Sequence, residues 1–341
     1  MFVNRITTDD KTAELFTREA DIQAMLRFEL ALAEAQAEEG VISADALGHL
    51  ETKIAAFKPD YEALDAAFEI DGLVVPELVR QLRATLSDEF SRALHLGSTS
   101  QDVLDSSLMV RLCESEKIAV SRLGNLLARI AAMTEGREQA GLMAHTRMQA
   151  ALPITLQQKT NNWIRGLEAA KASAVGSYPV QIGGPVGIWN DLDPRNPAVG
   201  KRVAKKLGLC WPGHAWHTDR AIILQIAHWY GQVAAAVAKI ARDLLLMAQN
   251  EVAEAEALAG GTSSAMAHKK NPVVCEFVLA QAAHVQTLCA GLQHNMVHEN
   301  ERSGEKWTLE WILLPGIVMA TGSTLLLGEK MLAGMKIKSG Q

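Results

Sequence analysis

Residues 220–258 read Arg220-AIILQIAHWYGQVAAAVAKIARDLLLMAQNEVAEAEA-Leu258, a stretch with no proline and a single glycine, Gly231. Ile222, Ile223, Ile226, Ala227, Tyr230, Val233, Ala234, Val237, Ile240, Ala241, Leu244 and Leu245 recur at helical spacing. The pattern predicts one helix from Arg220 to Leu258, which at ~1.5 Å per residue approaches about 60 Å. That is far beyond an ordinary globular helix. The apolar positions cover more than one narrow stripe, so the helix must be buried on several sides. In a chain of 341 residues, helices from other subunits are expected to supply part of that cover.

The flanking sequence continues in the same way. Ser106–Arg137, with Leu123, Leu126, Leu127, Ile130 and Ala131 on one face, predicts another long helix. So do Pro153–Val175, Pro272–Val297 and Thr308–Leu332. Nearer the N-terminus, Lys11–Glu39 reads as one or two amphipathic helices stopped by Gly40, and a helical pattern runs from Asp45 to before Pro59. Residues 71–78 read as a loop entering a helix, with Pro76 in its first turn. Tyr178–Asp219 holds Gly183, Gly184, Pro185, Gly187, Pro194, Pro197, Pro212 and Gly213 and is expected to be mainly loop and turn. The fold class is therefore all-α, an elongated bundle of long helices. The expected domains are an N-terminal helical part (1–94), the central bundle (95–333) and a residual tail (334–341).

Composition narrows the function. Only 5% of residues are aromatic while Ala and Leu abound, which favours helix over strand. The net charge of −6 comes with scattered Lys and Arg, excluding a nucleic-acid patch or a polybasic membrane segment. No uncharged run is expected to reach the ~18 residues of a membrane span, and Met1–Arg5 lacks the apolar stretch expected of a signal peptide. Cys113, Cys210, Cys275 and Cys289 form no CxxC pair and read as free thiols. A cytoplasmic protein is expected from these features.

Four segments carry chemistry. The first is Gly260-GTSSAMAHKKN-Pro272, between two strong helical patterns. Its glycines allow amide N–H groups to face a ligand, Lys269 and Asn271 suit a carboxylate, and Ser263 suits proton transfer. Taken alone it reads equally as a Gly/Ser linker. The second is His95-LGSTSQD-Val103, whose hydroxyls at Ser98, Thr99 and Ser100 suit an anion at a helix start; alone it is a plain N-cap. The third, His145-TRMQAALPI-Thr155, offers Arg147 and Gln149 as carboxylate partners; alone, Arg147 is a solvated loop residue. The fourth, Glu299-NERSGEKWTLE-Trp311, offers Arg302 and places Trp307 and Trp311 on one helix face. His294 and His298 stand at i, i+4 but lack a third metal ligand, so two surface histidines are expected and no metal. Gly183-GPV-Gly187 lacks the strand–helix context of a dinucleotide loop.

Together the segments resemble the fumarase/aspartase superfamily. Its regions HxGxTSxD, THGQxAxPxT and GSSxMPxKxNP match His95–Asp102, Thr146–Thr155 and Thr262–Pro272. Within it the chain is most similar to the bacterial 3-carboxy-cis,cis-muconate cycloisomerases. The carriers are the strings 71–81, 146–151 and 216–220, and Glu301-RS-Gly304 with Trp307, Leu309, Glu310 and Trp311. Like those cycloisomerases, it has no His at position 147, where most of the lyases do. Two departures touch the first segment, Thr262 for the usual Gly and Ala267 for the usual Pro.

The resemblance implies a homotetramer whose core is a bundle of helices from four subunits, each active site being shared by three chains. The implied reaction is addition of a substrate carboxylate to a conjugated acid, giving a lactone, with protonation at the α carbon. Ser263 and Lys269 would be catalytic. His95, Thr99, Ser100, Arg147, Gln149, His217, Ser264, Asn271 and Arg302 would bind a di- or tricarboxylate, with Arg220 a further candidate. No cofactor, metal, nucleic acid or membrane enters. Rival readings are an adenylosuccinate-lyase-like elimination releasing fumarate, and a non-catalytic scaffold like some crystallins of the superfamily.

Overall fold

The computed structural model describes residues 2–258, 261–266 and 270–338. The N-terminal part holds α1 (Arg18–Glu38), α2 (Ala44–Ala55), α3 (Tyr61–Asp71) and α4 (Val75–Arg83). Each start follows a local rule. Thr17, Ser43 and Asp60 accept hydrogen bonds from the backbone N–H of Ala20, Ala46 and Ala63, and Pro76 occupies the first turn of α4 as expected. Met25, Phe28, Leu32, Leu50, Leu78 and Leu82 close their core.

Next come α5 (Ser100–Thr134), a hairpin of β1 (Gly141–Thr146) and β2 (Gln149–Thr155), α6 (Leu156–Ala172), α7 (Asn196–Leu207) and α8 (Ala221–Met247). The short β3 (Ala255–Ala257), α9 (Val273–Gln293), α10 (Gly304–Gly334) and β4 (Met335–Ile337) complete the order. The long helices α5, α6, α8, α9 and α10 share one core, in which Leu126, Trp163, Val237, Ile240, Val285, Leu314 and Leu325 are buried. Fully burying a side chain of this size contributes about 1.5–3 kcal/mol. Gly328 lets α8 and α10 approach, since a Cβ there would meet Val237 Cγ1 at 2.8 Å.

Several expectations are corrected. The opening helix ends at Met247, not Leu258, and is thus about 40 Å long. Beyond it Ala253 adopts φ 54°, and the chain reverses so that Ala255–Ala257 pairs antiparallel with Met335–Ile337. The predicted helix 153–175 begins only at Leu156, because residues 149–155 pair with 141–146 in register Thr146↔Gln149 and Gly141↔Thr155. The reversal is a two-residue turn of Arg147 (φ 48°) and Met148 (φ 68°). Two consecutive positive φ values are the type I′ geometry that suits the twist of a hairpin. Thr155 then caps α6 in a capping box with Gln158. Residues 178–219 are mainly loop and turn as expected, but they include one unforeseen helix: Pro197 starts α7, whose Val199, Val203, Ala204 and Leu207 pack on the N-terminal core. Val103 and Val110 of α5 join the same core, so the N-terminal helices close onto the start of the bundle.

Eighteen-residue apolar windows do occur. α8, α9 and α10 are long and apolar enough to cross a membrane by length and composition. Their apolar residues serve helix–helix packing, and the hydroxyls of Thr321 and Thr324 donate to carbonyls one turn back within α10. Only 28% of the apolar window of α9 is buried within this chain. The cysteines are free, Cys275 and Cys289 buried and Cys113 and Cys210 half-buried.

Candidate active site

The site is built where α5 begins. Thr99 is the N-cap, and Asp102 accepts a hydrogen bond from the Thr99 backbone N–H at 3.1 Å. The other contacts of Asp102 run across the fold. It accepts from Gly183 N–H (2.8 Å) and Gly184 N–H (2.9 Å), and it lies 2.9 Å from His217 Nε2. A buried carboxylate is tolerated only with its lone pairs satisfied, and here that need pins the 183–187 loop to the helix start. Gly183 must be glycine, since a Cβ would fall 2.6 Å from the His217 ring.

Arg302, just before α10, lies against this floor. Its Nε donates to Gln101 Oε1 (2.9 Å), and Nη2 donates to Thr99 Oγ1 (3.3 Å) and Pro185 O (3.2 Å). Its Nη1 makes no hydrogen bond among the described residues, so one edge of the guanidinium stays open beside the positive end of a 35-residue helix. An exposed cationic edge next to a helix N-terminus is a carboxylate cradle.

Beneath it is a charged layer. Arg220 is buried between Asp105 (Nη1–Oδ2 2.7 Å) and Glu310 (Nε–Oε1 2.9 Å). Trp307 Nε1 donates to Asp105 and Asn295 Nδ2 to Glu310. Burial disfavours the Arg220 charge, but the two carboxylates outweigh it and hold the guanidinium protonated. Both its faces are committed, so Arg220 is a structural cation and not the substrate contact considered above. His217, also expected to bind substrate, is 4% exposed and spends Nε2 on Asp102, which puts it behind the cradle. Of the pair His294/His298, His294 is exposed as expected and His298 is not. α9 ends at Gln293, and the His298 side chain is buried 3.6 Å from Glu310 instead of facing solvent. No group of three potential metal ligands occurs among the described residues.

His95 flanks the cradle with φ 60°, its Nδ1 2.6 Å from Glu29 Oε1. Burial lowers its pKa, but the Glu29 and Asp102 carboxylates together raise it by more, so the net shift is upward. Ser100 opens α5. Thus His95, Thr99, Ser100 and Arg302 come together within one chain.

The other predicted residues stand apart. Arg147 and Gln149 sit at the exposed hairpin tip, on either side of Met148 (74% exposed). Ser263 and Ser264 lie on the loop before α9, where Ser263 Oγ accepts from the N–H of Ala265 (3.2 Å) and Met266 (3.1 Å). The loop base is closed by Asn271 N–H donating to Gly261 O at 2.8 Å and by the bridge Thr262↔Lys270. Lys269 lies outside the described residues. No hydrogen bond among the described residues joins this loop or the hairpin tip to the Thr99–Arg302 floor.

Sequence reasoning missed Gln101, Asp102, Asp105 and Glu310, which hold the floor together. Gln101 and Asp102 lie inside the second segment, but an acid at the third helical position reads as ordinary capping. The contacts to residues 183, 217 and 302 have no local signal.

The lyase family, described simply as Lyase, matches residues 4–287. The chain belongs to this family. It is 34% identical to the 3-carboxy-cis,cis-muconate cycloisomerase of Acinetobacter baylyi, over 96% of this chain and 75% of that protein. The enzyme of the same name from Bradyrhizobium diazoefficiens is 35% identical over 89% of this chain and 70% of its own length. The crystal structure of the 3-carboxy-cis,cis-muconate lactonizing enzyme of Pseudomonas putida superposes with TM-score 0.90 at 29% identity, covering 98% of this chain and 77% of that one. This member of the lyase family is an enzyme of the fumarase/aspartase superfamily with its all-α bundle fold.

Proposed function

We propose that the chain is a cycloisomerase that converts 3-carboxy-cis,cis-muconate, or a close analogue, to a carboxymuconolactone in aromatic (protocatechuate) catabolism in the cytoplasm. The observation that carries this reading is the Arg302–Thr99 cradle with its open guanidinium edge, found in a chain so similar to cycloisomerases along nearly its whole length. A multiply charged carboxylate substrate needs several cationic contacts, and Arg302, Arg147 and Lys269 supply them.

The working enzyme is a homotetramer with each site assembled from three chains. Two features support this. Among the described residues the hairpin tip and the Ser263 loop make no hydrogen bonds to the floor, and α9 leaves most of its apolar window uncovered. Other copies of the chain bring the hairpin and the loop onto the floor.

In the reaction one substrate carboxylate oxygen bonds to the β carbon of the conjugated acid, and the displaced π electrons form an enediolate at the α carbon. That dianion is the species to stabilise, and donors aimed at it dominate catalysis. Thr99, Ser100, Lys269 and Asn271 fill this role, with His95, Gln149 and Ser264 completing the substrate's polar contacts. Ser263 delivers a proton to the α carbon and is reprotonated from solvent. Purified protein is expected to remove the diene absorbance of the muconate and to release no fumarate from adenylosuccinate. Ser263→Ala should lower turnover by roughly 10²–10⁴-fold with assembly intact. Undiminished diene absorbance at high enzyme concentration overturns the proposal.

A further inference from the structure

Gln101 is fully buried one residue into α5, yet neither end of its amide is idle. Its Oε1 accepts from Arg302 Nε at 2.9 Å. Its Nε2 donates to the His217 carbonyl at 3.0 Å and to Asp105 Oδ2 at 3.3 Å. A flipped amide would set NH2 against the Arg302 N–H and oxygen against a carbonyl and a carboxylate, so only one orientation is tenable. Asp105 is in turn gripped by Arg220 and Trp307, which fixes the donor end from below.

A guanidinium is planar, so fixing the Nε–H vector together with one terminal nitrogen fixes the whole fork. Arg302 Nε is held by Gln101, and Nη2 by Thr99 and Pro185. What remains is Nη1, pointing away from these anchors. We propose that Gln101 is the positioning residue for Arg302: it aims the open guanidinium edge at the substrate carboxylate, transmitting the rigidity of the buried Arg220–Asp105 layer to the cradle. The inference rests on Arg302 binding a substrate carboxylate in the reaction proposed above.

The roles separate in steady-state kinetics of the assembled enzyme, followed by loss of diene absorbance. Gln101→Met keeps the volume and removes both hydrogen-bonding ends. It is expected to raise KM by roughly 10- to 100-fold, the range for losing a charge-assisted hydrogen bond, with a much smaller change in kcat, because an anchoring carboxylate is held alike before and during reaction. Gln101→Asn keeps the amide but falls one methylene short of Arg302, and should raise KM to a similar extent; it serves in place of Gln101→Met if that variant does not fold. In an Arg302→Ala background, either Gln101 substitution should leave KM where Arg302→Ala alone puts it. KM effects that multiply across the double variant overturn the positioning role, as does a Gln101 variant that lowers Tm with KM unchanged. If Arg302→Ala alone leaves KM unchanged, the carboxylate role of Arg302 is what fails, and the inference falls with it.

Discussion

The floor at the start of α5 and the hairpin tip at residues 147–148 are both polar, and both were read from sequence as substrate-binding. They are built in opposite ways. In the floor Gln101, Asp102, Asp105, Arg220 and Glu310 are each buried and each hydrogen-bonded within the chain. At the tip Arg147 makes no hydrogen bond among the described residues, and Met148 is exposed. Rigidity is thus supplied where the chain pairs its buried charges itself. The groups left open are those whose partners must come from outside: substrate, or another copy of the chain.

The contrast is broken most directly by removing one cation from each region. Arg220→Met leaves Asp105 and Glu310 buried without a countercharge and should cost about 3–5 kcal/mol of stability. Arg147→Met should stay within about 0.5 kcal/mol while sharply weakening substrate binding. Urea unfolding beside substrate titration decides, and equal stability losses in the two variants would refute the distinction.

The Ser263 loop lies between these extremes. Gly261 has φ 68°, and an added Cβ would stand 1.9 Å from Asn271 O. Gly261→Ala should therefore displace the loop base by about an ångström and lower turnover by roughly 100-fold, with the helical circular dichroism unchanged. Wild-type turnover in that variant would show that the loop base does not aim Ser263.

A smaller effect, of opposite sign on stability, is expected at the tip. Arg147 and Met148 both hold positive φ, a conformation better suited to Asn-Gly. The double variant Arg147→Asn/Met148→Gly should gain up to about 1 kcal/mol of stability and lose substrate affinity. A loss in both would mean that the tip is not strained for function.

The smallest effect concerns pH. His95 has its pKa raised in the folded state, with Glu29, aided by Asp102, overcoming the cost of burial. The His95–Glu29 interaction therefore stabilises fully below the unfolded histidine value of about 6.5 and is lost as pH rises through the elevated folded value. The Tm gap between wild type and His95→Gln should be wider at pH 5.5 than at pH 9, and a gap that widens with pH would reverse the assignment.

The helices were legible because their signals are local: apolar spacing, the stop at Gly40, and Pro76 in a first turn. The hairpin was not. Its turn uses Arg-Met where sequence rules look for Asn-Gly, and Pro153 reads more naturally as a helix start than as a strand residue paired with Met143. α7 was hidden by the surrounding glycines and prolines, although Pro197 followed by Val199, Val203 and Leu207 carried the signal. In the site, the side chains with open groups were found by their chemistry. Those that hold them were not, because Arg302 and Gln101 are 201 positions apart.

Pro315, inside α10, has one more consequence. It has no N–H to give the carbonyl of Trp311, so the helix loses a rung of its ladder there. On one side lie Trp307 and Glu310, joined to the floor; on the other lie Leu325 and Gly328, wedged into the bundle. The missing rung is a local weak point between two well-packed ends of one continuous helix, and amide exchange around Trp311 should run faster than in either flank.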